Sequence, residues 1–396
     1  MEQTLELPPV SAPAREASRV QAIDVVRGLV MVIMALDHVR ELWSPTAFRP
    51  EDVTQTTDLL FFTRWITHFC APTFVFLSGA SIWLQQQKRG SRAATSRFLL
   101  TRGLWLIAME VLVITFLLLW SYNLVLLEVI WAIGVGMVLL AGLLWLPRPV
   151  LAVLAGAILL GHDALPSLQP VTPANVGWAL LHNTPFVLPL GSLPPVLVAY
   201  SAGPWLGVML AGYVLGPWFK QPLVERVRLL RWAGAGLLVF FVLLRAGNWY
   251  GDPSPWSPQP RGWEYSVLSF LNVSKYPPSL LFLSLTLGVT LLLLSRLETV
   301  HNRLMDWLRT YGQVPFFYFL LHLALISAGA WLWTHLAFGQ AINLSAAAPP
   351  TWPPQYEPSL VRTYGVWVAV VLLLYWPCRW YQGFKQRHTY WWLSYL

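Results

Sequence analysis

Residues 98–120 read FLLTRGLWLIAMEVLVITFLLLW, twenty-three positions with only two charged side chains, Arg102 and Glu110. Coiled into an α-helix at about 1.5 Å per residue, such a run matches the hydrocarbon core of a bilayer. It lacks the strict alternation of a barrel strand. In lipid a helix is then the remaining way to satisfy its backbone polar groups internally. Similar runs recur along the chain and predict spans at 21–43, 65–85, 98–120, 122–146, 149–164, 196–218, 229–247, 278–295, 311–337 and 359–381. The composition agrees, with 56% hydrophobic and 11% charged residues and a mean hydropathy of +0.54. A soluble chain carries roughly a quarter of its residues charged. The expected fold is all-α, a polytopic membrane helical bundle of about ten transmembrane helices. One domain over 20–396 follows a disordered cytoplasmic tail over 1–19. The first apolar run is interrupted by Arg27 and has no small-residue cleavage site, so it does not read as a cleavable signal.

Loop charge sets the orientation. Eighteen Lys and Arg residues fall on the side of the N-terminus, including Lys88, Arg89, Arg92, Arg97 and Arg102; seven fall on the other side, and Arg27 lies within the first span. Positive residues favour the cytoplasm, so both termini are expected there. The net charge of +8 therefore reads as topology and headgroup contact, with no nucleic-acid partner. Cys70 and Cys378 fall near opposite faces in this topology, so neither a disulfide nor a metal site is expected. The outer loops 44–64, 165–195, 248–277 and 338–358 are long and rich in proline and tryptophan, as ordered caps would be. Trp249, Trp256, Trp263 and Trp352 read either as an aromatic belt or as platforms for a sugar.

An ionisable side chain inside a membrane helix is costly and marks a candidate site. The first span carries four: Asp24, Arg27, Asp37 and His38. At about 100° per residue, Arg27 and His38 return to within ~20° of one face, with Met31 and Met34 between them and a rise of about 16 Å. Asp24 and Arg27 read first as an interfacial ion pair. His38 reads first as a functional group, since histidine ordinarily titrates near neutrality. Asp37 points ~100° away from His38 and is expected to meet Arg40, Arg64 or another helix. Arg64 and His68 share a face at the outer end of the second span, either as anchors or as parts of the site. Ser78-Gly79-Ala80-Ser81 reads as a close helix-packing surface. Glu110, Glu128 and His322 must face the bundle interior, either as buried hydrogen-bond glue or as site residues.

Five stretches carry a resemblance. Arg19-Val-Gln-Ala-Ile-Asp-Val-Val-Arg-Gly-Leu, with Asp37-His38 beyond it, resembles the opening helix of the transmembrane acyltransferase superfamily. His68-Phe-Cys-Ala-Pro-Thr-Phe-Val-Phe-Leu-Ser-Gly, Pro204-Trp-Leu-Gly-Val-Met-Leu-Ala-Gly-Tyr, Lys275-Tyr-Pro-Pro-Ser-Leu-Leu and Gly312-Gln-Val-Pro-Phe-Phe-Tyr-Phe-Leu-Leu-His follow in order. Together they resemble bacterial relatives of the heparan-alpha-glucosaminide N-acetyltransferase catalytic domain. The resemblance implies a multi-pass protein of the bacterial inner membrane. It would move an acyl group, as acetyl, from cytoplasmic acyl-CoA to a sugar acceptor on the outer side, with no metal. The superfamily's Arg-to-His spacing falls on Arg27 and His38. The lysosomal enzyme has asparagine at the position of His38 and keeps its catalytic histidine in the following loop. Here 44–64 contains no histidine, so the glucosamine acceptor does not carry over.

On this reading His38, His68 and His322 are the candidate catalytic bases. Arg27 and Arg64 are the candidate donor-binding residues, with acyl-CoA as co-substrate. The bilayer, the donor and a glycan acceptor are the expected partners, and a homo-oligomer is compatible. Two rivals use the same residues. A multi-pass transporter would employ the buried His, Arg and Asp groups for substrate or proton binding, although the paired repeats common in transporters are not evident. A non-catalytic membrane scaffold is the other.

Overall fold

The computed structural model describes residues 21–168, 170–172, 174–183 and 185–395, so the tail expected over 1–19 lies outside the described residues. Every expected span is helical over most of its length. Among the described residues six helices are long and apolar enough to cross a membrane. They are α2 (Asp58–Arg89), α3 (Arg92–Leu119), α7 (Leu223–Gly247), α8 (Leu280–Leu297), α10 (Pro315–Phe338) and α11 (Leu360–Arg387). The first, α1 (Gln21–Trp43), has the length but carries the charges of the candidate site. Shorter helices, α4 (Val129–Leu143), α5 (Arg148–Gly161) and α6 (Ala202–Leu215), coincide with the other expected spans, and α9 (Arg303–Gln313) precedes α10.

Burial separates the centre from the rim. In α2 and α8, 72% of the most apolar window is buried in protein, against 17% in α7 and 22% in α11. The outward Val239, Leu243, Leu372 and Leu373 make an apolar surface that lipid, rather than water, would solvate. Two crossings lock the centre. A Cβ on Gly28 would lie 1.8 Å from the Leu308 carbonyl oxygen, and one on Gly312 1.8 Å from that of Asp24. The backbones of α1 and α9 therefore touch at the level of Arg27. Gly79 and Gly212 bring α2 and α6 together in the same way, each 2.0 Å from a carbonyl of the other helix by the same measure. The small-residue run on α2 is thus a packing surface, and its two serines remain available for polar contacts.

Three departures from the expected spans have local causes. Residues 122–128 and 196–201 do not begin helices. Val125–Leu127 (β1) pairs in parallel with Leu193–Val198 (β3), and Phe186–Leu190 (β2) pairs antiparallel with β3 across Gly191. Short apolar runs do not distinguish strand from helix by period, and Gly191 supplies the positive φ (+64°) of the tight turn. The span expected over 311–337 is interrupted at Val314, because Pro315 lacks an N–H and starts a new helix. Within α3, residues Glu110–Ile114 form a π-helical turn.

The 44–64 and 248–277 loops are held by side-chain to backbone hydrogen bonds. Arg245, fully buried, donates to the carbonyls of Ser254, Ser269, Phe270 and Asn272 at 2.7–3.0 Å and folds the 248–277 loop around itself. That loop is tied to the 44–64 loop by Arg261, which donates to the Val53 and Thr56 carbonyls, and by Asn272, which donates to the Glu51 carbonyl at 2.9 Å.

Candidate active site

The C-terminal half of α1 brings His38 to His322 of α10, with ring centroids 5.2 Å apart and Phe319 at 6.3 Å from His38. His322 is fully buried, and its Nδ1 lies 2.9 Å from the Tyr318 carbonyl. A carbonyl only accepts, so Nδ1 carries the proton and Nε2 holds a lone pair. That Nε2 has no hydrogen-bond partner among the described residues. In His38 the unpartnered buried atom is Nδ1. His38 as a residue is half-buried. The arrangement is a pair of imidazoles, one fixed by its backbone bond and fully buried, the other half-buried.

Asp37 turns away from His38, as helix geometry requires. It accepts from Arg64 through Oδ2 and from Arg40 at 2.9 Å through Oδ1. Arg40 reaches Glu41 at 3.0 Å, and Arg64 reaches Glu51 at 2.8 Å through Nε. His68, on the 3-10 turn Ile66–Phe69 of α2, approaches the same Glu51 oxygen at 3.5 Å, a chiefly electrostatic contact. Burial alone raises the Glu51 carboxyl. The approach of His68 and the charge of Arg64 outweigh that and hold it well below the usual carboxylate range. Lys275, buried with its ammonium 5.0 Å from the Tyr276 ring centroid and 5.8 Å from that of Tyr200, faces the same region. Three carboxylates thus meet two guanidinium groups, and the Lys275 ammonium acts on Asp37 electrostatically. Arg64 is engaged by two of those carboxylates.

The inner half of α1 holds Arg27. It meets Asp24 and the Gly312 carbonyl at 3.4 Å each, and donates to Ser81 Oγ at 2.9 Å. The ion pair expected of Asp24 and Arg27 is present. Between this level and His38 lies a narrow cavity of about 90 Å³, walled by Met31 and Met34 of α1, Phe74 and Ser78 of α2, Arg102 of α3 and Phe319 of α10. It follows the methionine face of α1. A larger groove of about 400 Å³, between Val111, Val125 and Leu193, has wholly apolar walls and holds no group suited to acyl transfer.

Glu110 resolves between its two readings. Its carboxylate accepts from the backbone N–H groups of Glu128 and Trp131 at 3.1 and 3.0 Å and so caps the start of α4. Glu110 is therefore hydrogen-bond glue between α3 and α4. Two members of the site were not singled out as such in the sequence. Glu51 lies in a loop, where periodicity says nothing about what a side chain meets. Lys275 counts in sequence only as one loop charge. Among the described residues no group of three His, Cys, Asp or Glu side chains converges to hold a metal ion.

The helical bundle thus brings an imidazole pair close to a narrow, largely apolar cavity walled by Met31, Met34 and Phe319. The sequence model of the family described as heparan-alpha-glucosaminide N-acetyltransferase, catalytic, matches residues 19–249, more than half of the chain, and the chain belongs to this family. Membership implies an acetyltransferase-type enzyme and does not favour the transporter. No curated protein matches the chain. His322 and Lys275 lie beyond the matched segment.

Proposed function

We propose that this protein is an acetyltransferase of the bacterial cytoplasmic membrane, moving an acetyl group from cytoplasmic acyl-CoA to a sugar at the outer face. In this reading the chain from residue 20 onward works as one domain, its ten apolar helical segments cross the bilayer, and both termini are cytoplasmic. The loop charge asymmetry, eighteen against seven, supports that orientation.

The observation that carries the reading is the cavity beneath His38. It runs along Met31 and Met34, the α1 residues between Arg27 and His38, and is walled by Phe319, whose ring lies 6.3 Å from that of His38. Coenzyme A would leave its phosphates near Arg27 and extend its pantetheine arm through this passage. The 16 Å rise from Arg27 to His38, about eleven residues of helix, is comparable to that arm.

Chemistry follows from the atoms. An amine or hydroxyl of the sugar attacks the thioester carbonyl carbon while His38 Nε2 takes its proton. The tetrahedral intermediate carries negative charge on oxygen, and the nearby Lys275 adds favourable potential there. The C–S bond then breaks, the thiolate takes up the proton from His38, and coenzyme A returns toward the inner side. His322 orients His38 and shares the charge of its protonated form. His68, held against Glu51, is the second candidate base.

Binding of the donor separates this reading from a transporter or a scaffold. Purified protein in detergent is expected to bind radiolabelled acetyl-CoA saturably, with competition by coenzyme A. Absence of saturable binding by a folded preparation would overturn the enzyme reading.

A further inference from the structure

The inner wall of the cavity contains a cation that the acetyl-transfer chemistry described above does not use. Arg102 lies ten residues into α3, about 15 Å along the helix from Arg92. It lines the cavity together with Met34, Ser78 and Phe316. A guanidinium stays charged at every physiological pH, and at membrane depth such a charge is expected to be paired. Among the described residues Arg102 has neither a hydrogen bond nor an ion pair. Its guanidinium lies over the Phe98 ring at 5.8 Å, and Arg89 already occupies that ring at 4.1 Å.

Tyr395 acts on the Arg102 guanidinium favourably, and Arg27 repels it. The contacts of the two arginines fall one turn apart on α2, at Ser81 and Ser78. Ser81 holds Arg27, and Ser78 lines the cavity beside Arg102. Like charges gathered at the mouth of a low-dielectric passage attract an anion. The passage itself is walled by thioether and aromatic groups, which suit a neutral, flexible arm rather than a second charge.

We propose that Arg102, in the α3 wall of the cavity, is a binding residue for the phosphate groups of the donor, one turn of α2 from the Ser81 contact of Arg27. The site takes a phosphorylated thioester: phosphate oxygens meet the guanidinium, and the uncharged arm passes inward toward His38. This rests on the donor reading above. A membrane lipid phosphate offers the same chemistry, so the test separates the two sources.

Affinities of purified protein are measured for two probes, acetyl-CoA and S-acetylpantetheine, which carries the same thioester arm without phosphates. Arg102→Gln is expected to weaken acetyl-CoA binding about tenfold to a hundredfold, the range for loss of one charge-assisted contact. Binding of S-acetylpantetheine should be unchanged. Arg102→Lys should retain part of the affinity, since it keeps the charge but not the planar fork, and it serves as the test should the glutamine variant not fold. Equal acetyl-CoA affinity in wild type and variant would overturn the inference alone and would leave lipid phosphate as the partner of Arg102. A wild-type protein that binds neither probe would overturn the donor reading, and the inference with it.

Discussion

At the C-terminal end of α1, the carboxylates of Asp37, Glu41 and Glu51 meet the guanidinium groups of Arg40 and Arg64 through contacts that include 2.8, 2.9 and 3.0 Å, and Lys275 adds a third positive charge electrostatically. At its inner end Arg27 meets Asp24 at 3.4 Å, and Arg102 across the cavity meets no carboxylate among the described residues. The same helix thus stands in a network of close ion pairs at one end and, at the other, beside a guanidinium of α3 that has no carboxylate partner among the described residues. A paired network fixes geometry without needing a ligand, which suits the end where a base must be positioned. An unpaired charge is stable only with a counter-charge, which suits the end where an anionic donor arrives. Substitutions at the two ends should therefore fail differently: outer ones in rate or stability, inner ones in donor affinity.

The largest effect is expected at His38. Replacing it by alanine removes the proton acceptor, and loss of a general base costs about a hundredfold to ten-thousandfold in rate. Donor affinity should be roughly preserved, because the phosphates bind at the other end. His68→Ala and His322→Ala belong in the same acetyl-transfer assay. A His38→Ala protein with near-normal transfer, beside an inactive His68→Ala, would move the base to the Glu51 side of the site.

Glu51→Ala should act on stability. It removes one of the two carboxylates on the buried Arg64 guanidinium, and breaking a buried pair costs about 3 kcal/mol. The pH dependence has a definite sign. The Glu51 carboxyl is depressed in the folded protein, so its contribution is fully present above the ordinary glutamate range. It fades as the pH falls below about 4.3 toward the folded value. The gap in thermal unfolding between wild type and Glu51→Ala should hold from about pH 8 to 5 and narrow below about pH 4. A gap that is absent at neutral pH would remove Glu51 from the network's support.

Arg27→Ala should be the mildest of the three in turnover and the most specific in binding. Acetyl-CoA affinity is expected to fall about tenfold, with the rate at saturating donor little changed. Unchanged affinity in a folded protein would make Arg27 a purely structural link between α1, α2 and α9, and would erase the contrast between the two ends.

Much of this arrangement was legible in the sequence for reasons that can be named. The helices announce themselves through runs such as 98–120, whose only explanation at that length is lipid. That Met31 and Met34 share a face of α1 between Arg27 and His38 follows from helical period, and both line the cavity. Asp37 turning toward Arg40 and Arg64 follows from the same angle. What a period does not contain is which helices meet. His322 stands against His38 because α10 packs on α1, and nothing in either segment names the other. Glu51 reaches Arg64 and His68 only because two outer loops are laced together by Arg261 and Asn272. The strands β1 and β3 were hidden for a different reason: three to six apolar residues fit a strand or a helix end equally well.

The account depends on a donor bound at one face and a base placed for an acceptor at the other. The direct test uses purified protein sealed into lipid vesicles, with radiolabelled acetyl-CoA outside and a panel of amino and hydroxy sugars trapped inside. Label should appear on an enclosed sugar, and His38→Ala should abolish most of that transfer while leaving donor binding intact. Transfer that requires donor and sugar on the same side of the membrane, or that proceeds undiminished without His38, would contradict the account.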